Sequence, residues 1–243
     1  MTETTLQILE TAGAHFGYSR TRRHPSATPF LFGTKDRTDF FDLSQTAERL
    51  EAAKEFVKTL SGSGKQILFV GGKNESAQAL KDAALRAGAP YVAGRWIGGT
   101  LTNFKNIHKR IDRLQNLIAD SESGVLEQKY TKREQLMISR EIERLTFRFG
   151  GIVSMRELPG ALFVIDPRHE QTAVREANQL KIPIVALASS DCDFSQIRYP
   201  IPGNDTAHKS IHFIIEQIAE ACMAGRRAPA AGAHAKPPEE MKA

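Results

Sequence analysis

The sequence predicts an α/β protein with a parallel β-sheet flanked by helices and a long helical hairpin inserted into it. Short apolar runs alternate with amphipathic helical patterns, which is the order expected of parallel strands joined by crossover helices. This alternation stops at Gly94 and resumes near Gly150. Between these points apolar residues recur every three or four positions, which is typical of paired helices.

Four apolar runs predict the core strands, at residues 66–70, 90–93, 161–165 and 182–188. The run at 66–70 is nearly continuous, as a strand buried on both faces of a parallel sheet requires, and the run at 182–188 predicts another buried strand. Helices are predicted to begin at the capping residues Ser44, Asn74, Asp166 and Asn204 and to end near residues 60, 87, 180 and 225. Before the sheet, residues 30–32 and 39–43 predict a small β-hairpin with a polar turn at 33–37.

The inserted hairpin is predicted as a coiled coil. Its outgoing helix places Phe104, Ile107, Ile111, Leu114 and Ile118 on one face. After a turn at residues 121–124, the returning helix places Ile138, Ile142, Leu145 and Phe149 opposite them. We therefore divide the chain into an α/β domain (residues 1–94 and 150–225), the hairpin (95–149) and a disordered tail (226–243) rich in alanine and proline.

Composition limits the class of protein. With 243 residues, of which 41% are hydrophobic, the chain can bury a full core. It has no run of 18 apolar residues, and its first residues do not resemble a secretory signal, so a cytoplasmic location is expected. Its two cysteines form no CxxC pair, which gives little support to a structural metal or a disulfide. We expect no cofactor, no metal and no small-molecule substrate.

Basic residues concentrate in two segments of a chain whose net charge is +5. Each segment contains five arginines or lysines against a single aspartate. Focused positive charge is expected of a surface that binds a polyanion. Two alternatives to a polyanion-binding surface stay open. The basic residues could simply solvate two exposed segments, or the hairpin could mediate dimerisation. The predicted RNA-binding residues, including a histidine next to the first segment, are Arg20, Arg22, Arg23, His24, Lys35, Arg37, Arg95, Lys105, Lys109, Arg110 and Arg113.

Two enzyme-like patterns compete with a binding function. Gly71 and Gly72 follow a strand and precede a helix, where α/β proteins bind phosphate, but neither GxGxxG nor a P-loop is present. Near the carboxyl ends of predicted strands, four residues are of the types found in metal-assisted hydrolases: Asp166, His169, Asp191 and Asp193. Helix capping and ordinary loop chemistry explain them better.

Three residues in or near the basic segments, one tryptophan and two histidines, have alternative roles. Trp96 is able to stack on a base, but a lone tryptophan before two glycines is more often a core anchor at a turn. His15 and His24 have no third partner at metal-ligand spacing, which favours phosphate contact or a structural role.

Three long motifs resemble one protein family. They lie at residues 6–25, which include Gly13-Ala14-His15-Phe16-Gly17, at residues 94–103 (Gly-Arg-Trp-Ile-Gly-Gly-Thr-Leu-Thr-Asn), and at residues 158–183. In order and spacing they are similar to the bacterial small ribosomal subunit protein two family, the S-two family. The resemblance extends from about Leu6 to Gly225.

The resemblance implies a flavodoxin-like sheet with an inserted coiled-coil hairpin, bound to 16S rRNA in the small (30S) ribosomal subunit. It also implies no catalysis, a role in subunit assembly and translation, contact with neighbouring small-subunit proteins and, in many bacteria, docking of the large mRNA-binding ribosomal protein one. The expected location is the cytoplasmic ribosome.

Overall fold

The computed structural model describes residues 3–227 and confirms the α/β class. Helices and strands follow in this order: α1 (Glu3–Thr11), β1 (Phe16–Ser19), β2 (Leu31–Lys35), β3 (Thr38–Phe41), α2 (Leu43–Gly62), β4 (Ile67–Val70), α3 (Asn74–Ala87), β5 (Tyr91–Val92), α4 (Phe104–Glu122), α5 (Val125–Lys129), α6 (Lys132–Phe149), β6 (Ala161–Ile165), α7 (Gln171–Gln179), β7 (Ile184–Ala188), β8 (Tyr199–Pro202) and α8 (His208–Arg227). Short 3-10 helices lie at Arg20–Arg22, Pro25–Phe30, Gly150–Ile152 and Phe194–Gln196.

The main sheet is parallel, with the strand order β5-β4-β6-β7-β8. Every residue of β4, β6 and β7 is buried, as the continuous apolar runs predict. On one face Phe69 and Phe163 join a core with α2, α3 and α8, and on the other Leu68 and Leu162 join a core with α4, α6 and α7. Helices on both faces and this strand order are those of a flavodoxin-like sheet, whose switch point lies between β4 and β6.

The fifth strand, β8, is absent from the sequence prediction. Its sequence Tyr-Pro-Ile-Pro contains two prolines, which weaken a strand pattern because proline cannot donate to the ladder. The strand lies at the sheet edge and pairs with β7 alone, where prolines are tolerated. Helix α1 and strand β1 were not predicted either.

Helix starts differ from all four predicted caps. Lys73 rather than Asn74 is the N-cap of α3, and α8 begins only at His208, after a turn that Asn204 caps. Asp42 rather than Ser44 caps α2, because its Oδ1 accepts the Ser44 amide at 2.9 Å. Asp166 accepts the amides of Arg168 and His169, both at 3.0 Å, and so caps a turn, while α7 begins only at Gln171.

The predicted N-terminal β-hairpin is present and belongs to a small antiparallel sheet of order β1-β3-β2, but its first strand continues to Lys35, so the turn is shorter than the predicted 33–37. Its turn places Asp36 and Arg37 at φ values of 50° and 64°. Two consecutive left-handed residues give the turn the twist that suits a two-residue β-hairpin.

Helices α4 and α6 pack against each other over the second core. Ile107, Ile111 and Leu114 of α4 are buried, as are Leu145 and Phe149 of α6. Short helix α5 follows Gly124 (φ 73°) in the connection, where a simple turn was predicted. The supercoiled geometry and the division of the chain into domains stay predictions.

Helix α8 continues to Arg227, two residues into the predicted tail. Residues 228–243 of that tail lie outside the described residues. Within residues 3–227, no helix is long and apolar enough to cross a membrane.

Candidate nucleic-acid interface

The N-terminal basic residues lie around the end of β1 and the β2–β3 turn. The backbone amide of Arg20 donates to the carbonyl of Arg37 at 2.8 Å, which brings the two halves of the cluster side by side. Arg20, Lys35 and Arg37 are exposed. In the described part of the chain, none of these three pairs with a carboxylate.

Arg23 differs from its neighbours because it serves the fold. Its Nε donates to Asp39 Oδ2 at 2.7 Å, and its Nη2 donates to the other oxygen of the same carboxylate and to Thr34. Asp39 is fully buried. Burial tends to raise the pKa of Asp39, but the hydrogen bonds from Arg23 and Thr34 outweigh it and lower that pKa. A guanidinium committed to a buried carboxylate offers less to an external anion than the sequence predicts.

Arg22 pairs with a carboxylate in the loop after β7, 169 positions further along the chain. Its Nη2 lies 3.0 Å from Asp191 Oδ2, and its guanidinium carbon lies 4.2 Å from the centroid of the Tyr18 ring. Arg168 Nη1 reaches the same Asp191 oxygen at 2.8 Å. Both arginine side chains remain about half exposed.

His24 has a local structural role. Its Nδ1 accepts the Ser26 amide at 3.3 Å and so caps the 3-10 helix Pro25–Phe30. Asp193 Oδ1 lies 3.9 Å from the same nitrogen. The His24 side chain is 41% exposed, so its ring remains accessible to an RNA phosphate.

The second basic cluster lies on and before α4. Lys105, Lys109 and Arg110 are exposed, and Arg95 is exposed in the loop that precedes the helix. Among residues 3–227, no carboxylate lies within ion-pair distance of these four. The opposite face of α4 is buried, so the helix is fixed while its cations face solvent.

Arg113 of α4 instead ties the two long helices together. Its Nε and Nη2 donate to the two carboxylate oxygens of Glu141 on α6, at 2.7 and 3.1 Å. The pair is bidentate, and hydrogen bonding to Arg113 lowers the pKa of Glu141 despite an opposing effect of burial. We therefore assign Arg113 mainly a structural role, as a link between α4 and α6, rather than a role in RNA contact.

At the sheet switch point, the chain's own side chains bind the backbone amide and the lysine that follow β4, and a cavity of about 650 Å³ lined by Gly72, His169 and Glu170 lies beside them. The Gly72 amide, where a phosphate would bind, donates to Glu170 Oε1 at 3.0 Å. The next residue, Lys73, lies 2.5 Å from Asp166 Oδ2 and 3.0 Å from Asp205 Oδ2. The Glu170 carboxylate thus accepts from an amide at the position where doubly wound proteins bind phosphate.

The pKa values of the two aspartates around Lys73 are shifted in opposite directions. Burial, followed by the charge of Asp166, raises the pKa of Asp205 to about 7. Burial also opposes ionisation of Asp166, but the hydrogen bond and charge of Lys73 prevail and lower its pKa. One ammonium therefore holds one carboxylate ionised and leaves the other to carry a proton near neutral pH.

The aspartates proposed for a hydrolase site are each engaged by other residues of the fold. Asp166 binds Lys73, Asp191 binds two arginines, and Asp193 accepts from Ser195 and Gln196. In the part of the chain that the structure describes, no three histidine, cysteine or acidic residues form a group that could hold a metal.

Trp96 is a core anchor, as the sequence favours. It is 7% exposed, and its indole Nε1 donates to Glu176 Oε1 at 3.0 Å. Glu176 also accepts the amides of Gly99, Leu101 and Thr102 and the Thr102 hydroxyl. Burial would raise the pKa of Glu176, but these hydrogen bonds lower it. The carboxylate therefore fixes the loop between Arg95 and α4.

Sequence reasoning missed Glu176 and Arg168. Glu176 reads as an ordinary helical glutamate, and only the loop that folds over it reveals its role. Arg168 had a signal: it follows β6 at the carboxyl edge of the sheet, between the candidate residues Asp166 and His169.

The strand order and the helices on both faces define a doubly wound α/β protein, and it carries two clusters of exposed basic residues. The sequence model described as Ribosomal protein S2 matches residues 9–225. The chain is similar to small ribosomal subunit protein uS2 of Syntrophobacter fumaroxidans, with 43% identity over 221 residues, covering 91% of this chain and 80% of that protein. It is also similar to uS2 of Coprothermobacter proteolyticus, with 42% identity over 226 residues, covering 93% and 84%. The chain belongs to the ribosomal protein S2 family, whose members are structural, non-enzymatic proteins.

Proposed function

We propose that this chain is a structural constituent of the small (30S) ribosomal subunit in the cytoplasm, where it binds 16S rRNA and supports subunit assembly and translation. The observation that carries the proposal is the exposed row of Lys105, Lys109 and Arg110 on a helix whose other face is buried. The names of the two relatives support the same role. Neighbouring small-subunit proteins, and in many bacteria the large mRNA-binding ribosomal protein one, are the expected protein partners.

The geometry favours some predicted contacts over others. We assign the main phosphate contacts to cations without a carboxylate partner in the described residues, namely Arg20, Lys35, Arg37, Arg95, Lys105, Lys109 and Arg110. Arg23 and Arg113 contribute to stability first. Recognition should rest on phosphates and shape, since double-helical RNA hides its base edges in a deep groove.

Charge reversal on α4 tests the proposal. Lys109→Glu with Arg110→Glu leaves the buried Ile107 and Ile111 intact, so the fold should persist while affinity for 16S rRNA falls. A matched control is Lys58→Glu with Lys81→Glu, which makes the same charge change at exposed positions of α2 and α3. The control should retain most of the affinity, because screening confines surface charge effects to about 8–10 Å.

The measurement is a filter-binding titration of the full chain over a range of salt concentrations. If five to seven cations meet phosphates, the slope of log affinity against log salt should be roughly −4 to −6. A salt-independent affinity contradicts the proposal. So does an unchanged affinity of the α4 variant accompanied by dissociation of an oligomer, because the hairpin would then be a dimerisation element.

A further inference from the structure

A cavity of about 400 Å³ lies away from α4, at the carboxyl edge of the main sheet. Three segments meet there: the residues after β1, the loop between β6 and α7, and the loop between β7 and β8. The side chains that matter for the argument are Arg22, His24, Arg168, Gln171, Asp191 and Gln196. Its volume is within the range of small-ligand sites in proteins, roughly 300–1,000 Å³.

Two arginines converge in this cavity on one oxygen atom. Arg22 Nη2 and Arg168 Nη1 lie 3.0 and 2.8 Å from Asp191 Oδ2. The Asp191 side chain is 3% exposed, whereas the two arginine side chains are 50% and 54% exposed. Among the described residues, neither arginine has a second carboxylate partner. Two positive charges share one negative charge, so the group keeps a net charge of about +1.

The shared carboxylate orients both arginines but uses only part of their hydrogen-bond donors. Each guanidinium has five N–H donors in a rigid fork, and each directs one nitrogen to Asp191. The Tyr18 ring further limits the motion of Arg22. An arginine that is already oriented loses less side-chain entropy when it binds, and its fork matches the oxygens of a phosphate.

Asp193, the other acid at the cavity, keeps its negative charge, but its hydrogen-bond acceptors are used locally. Asp193 Oδ1 accepts from the backbone and hydroxyl of Ser195, and its Oδ2 accepts from Gln196. Arg23 also lines the cavity, but its guanidinium is held by Asp39. The donors that remain for an anion therefore come from Arg22 and Arg168, with Gln171 nearby at the start of α7.

We propose that this cavity receives a backbone phosphate of 16S rRNA, bound by Arg22 and Arg168, with Asp191 as the residue that positions both. The inference rests on the proposed function and adds a contact that lies on a different part of the fold from the α4 cations. It assigns a binding role to Arg168 and a positioning role to Asp191.

Arg168→Gln is the first test, since Arg22 still neutralises Asp191 in this variant. Arg175→Gln is the matched control, because Arg175 is an exposed arginine on α7 that has no carboxylate partner in the described residues and does not line the cavity. Both variants lower the net charge by one. In salt titrations of full-length protein with 16S rRNA, Arg168→Gln should weaken binding and reduce the salt slope by about 1, and Arg175→Gln should leave the slope unchanged.

Asp191→Asn separates positioning from net charge. The change makes the protein more positive, so bulk electrostatics predicts tighter RNA binding, whereas loss of the orienting carboxylate predicts weaker binding. Thermal unfolding followed by circular dichroism identifies any variant whose fold is lost. If Asp191→Asn does not fold, the comparison of Arg168→Gln with Arg175→Gln tests the inference.

Equal affinities of Arg168→Gln and Arg175→Gln, or tighter binding by folded Asp191→Asn, overturn the inference. Either result leaves the proposed function standing as long as wild-type protein binds 16S rRNA in a salt-dependent way. Absence of that wild-type binding overturns the proposed function itself.

Discussion

The indole of Trp96 and the carboxylate of Glu176 form a buried hydrogen bond across 80 positions of the sequence, at 3.0 Å. Glu176 thereby holds the loop that leads from β5 into α4, and three backbone amides of that loop donate to the same carboxylate. The position of the α4 cations relative to the sheet depends on this contact.

Glu176→Gln should lower the free energy of unfolding by about 3 kcal/mol, because an amide replaces a charged acceptor and presents N–H groups to other donors. Chemical denaturation of the purified protein measures this loss. Glu48→Gln, at an exposed position of α2, is the control and should cost less than about 0.5 kcal/mol. Equal effects of the two changes would show that the loop does not depend on Glu176.

Arg23→Gln should destabilise the protein by roughly 3–5 kcal/mol, since it leaves the buried Asp39 carboxylate without its cation. Adding Asp39→Asn should restore part of the loss, because no unpaired charge then remains buried. A double-mutant cycle of unfolding free energies measures the coupling. Arg20→Gln, at an exposed arginine nearby, serves as the control. If Arg23→Gln instead leaves stability intact and only weakens RNA binding, Arg23 is an RNA contact as the sequence predicts.

Stability should depend on pH through Asp205. Its pKa is 3.8 as the ordinary value and about 7 in the fold, so the folded protein holds a proton that the unfolded chain has released. The contribution of Asp205 is therefore full below about pH 4 and is lost as the pH rises towards 7. Across this window, wild-type protein should lose stability relative to Asp205→Asn.

Urea denaturation of both proteins at several pH values between 4 and 8 measures this difference. Lys73 remains an ammonium throughout, since its pKa is raised by Asp205 and Asp166 despite its burial. A wild-type protein that gains stability relative to Asp205→Asn with rising pH would show that Asp205 is ionised beside Lys73.

Packing between the two long helices should be visible in a pair of alanine substitutions. Ile111 of α4 is fully buried, so Ile111→Ala should cost about 2–5 kcal/mol. Met137 of α6 is 63% exposed, and Met137→Ala should change stability by less than about 0.5 kcal/mol. Thermal or chemical unfolding measures both. Similar small effects would mean that α4 does not depend on the core beneath it.

The sequence predicted the elements whose signal is local. The apolar runs of β4, β6 and β7 are buried because both faces of the sheet are covered, and that requirement is written in the runs themselves. Strand β8 was not predicted because Pro200 and Pro202 interrupt the strand pattern. These prolines are tolerated only because β8 lies at the edge of the sheet. The local rule and the tertiary context disagree there.

The candidate site was predictable only as a distribution of charge. Clustering in the sequence indicated which segments are basic, but whether a cation is free depends on partners far along the chain. Arg22 meets Asp191 at a separation of 169 positions, and Arg113 meets Glu141 at 28. No local pattern marks such pairs, so the division between structural and exposed cations needed the fold.

Sedimentation of a native-cell lysate through sucrose at low and at high salt, with this protein followed by immunoblot, tests most directly whether its cations hold it on the small ribosomal subunit. We predict that it comigrates with small subunits at low salt and is released at high salt. A protein found at the top of both gradients would contradict this role.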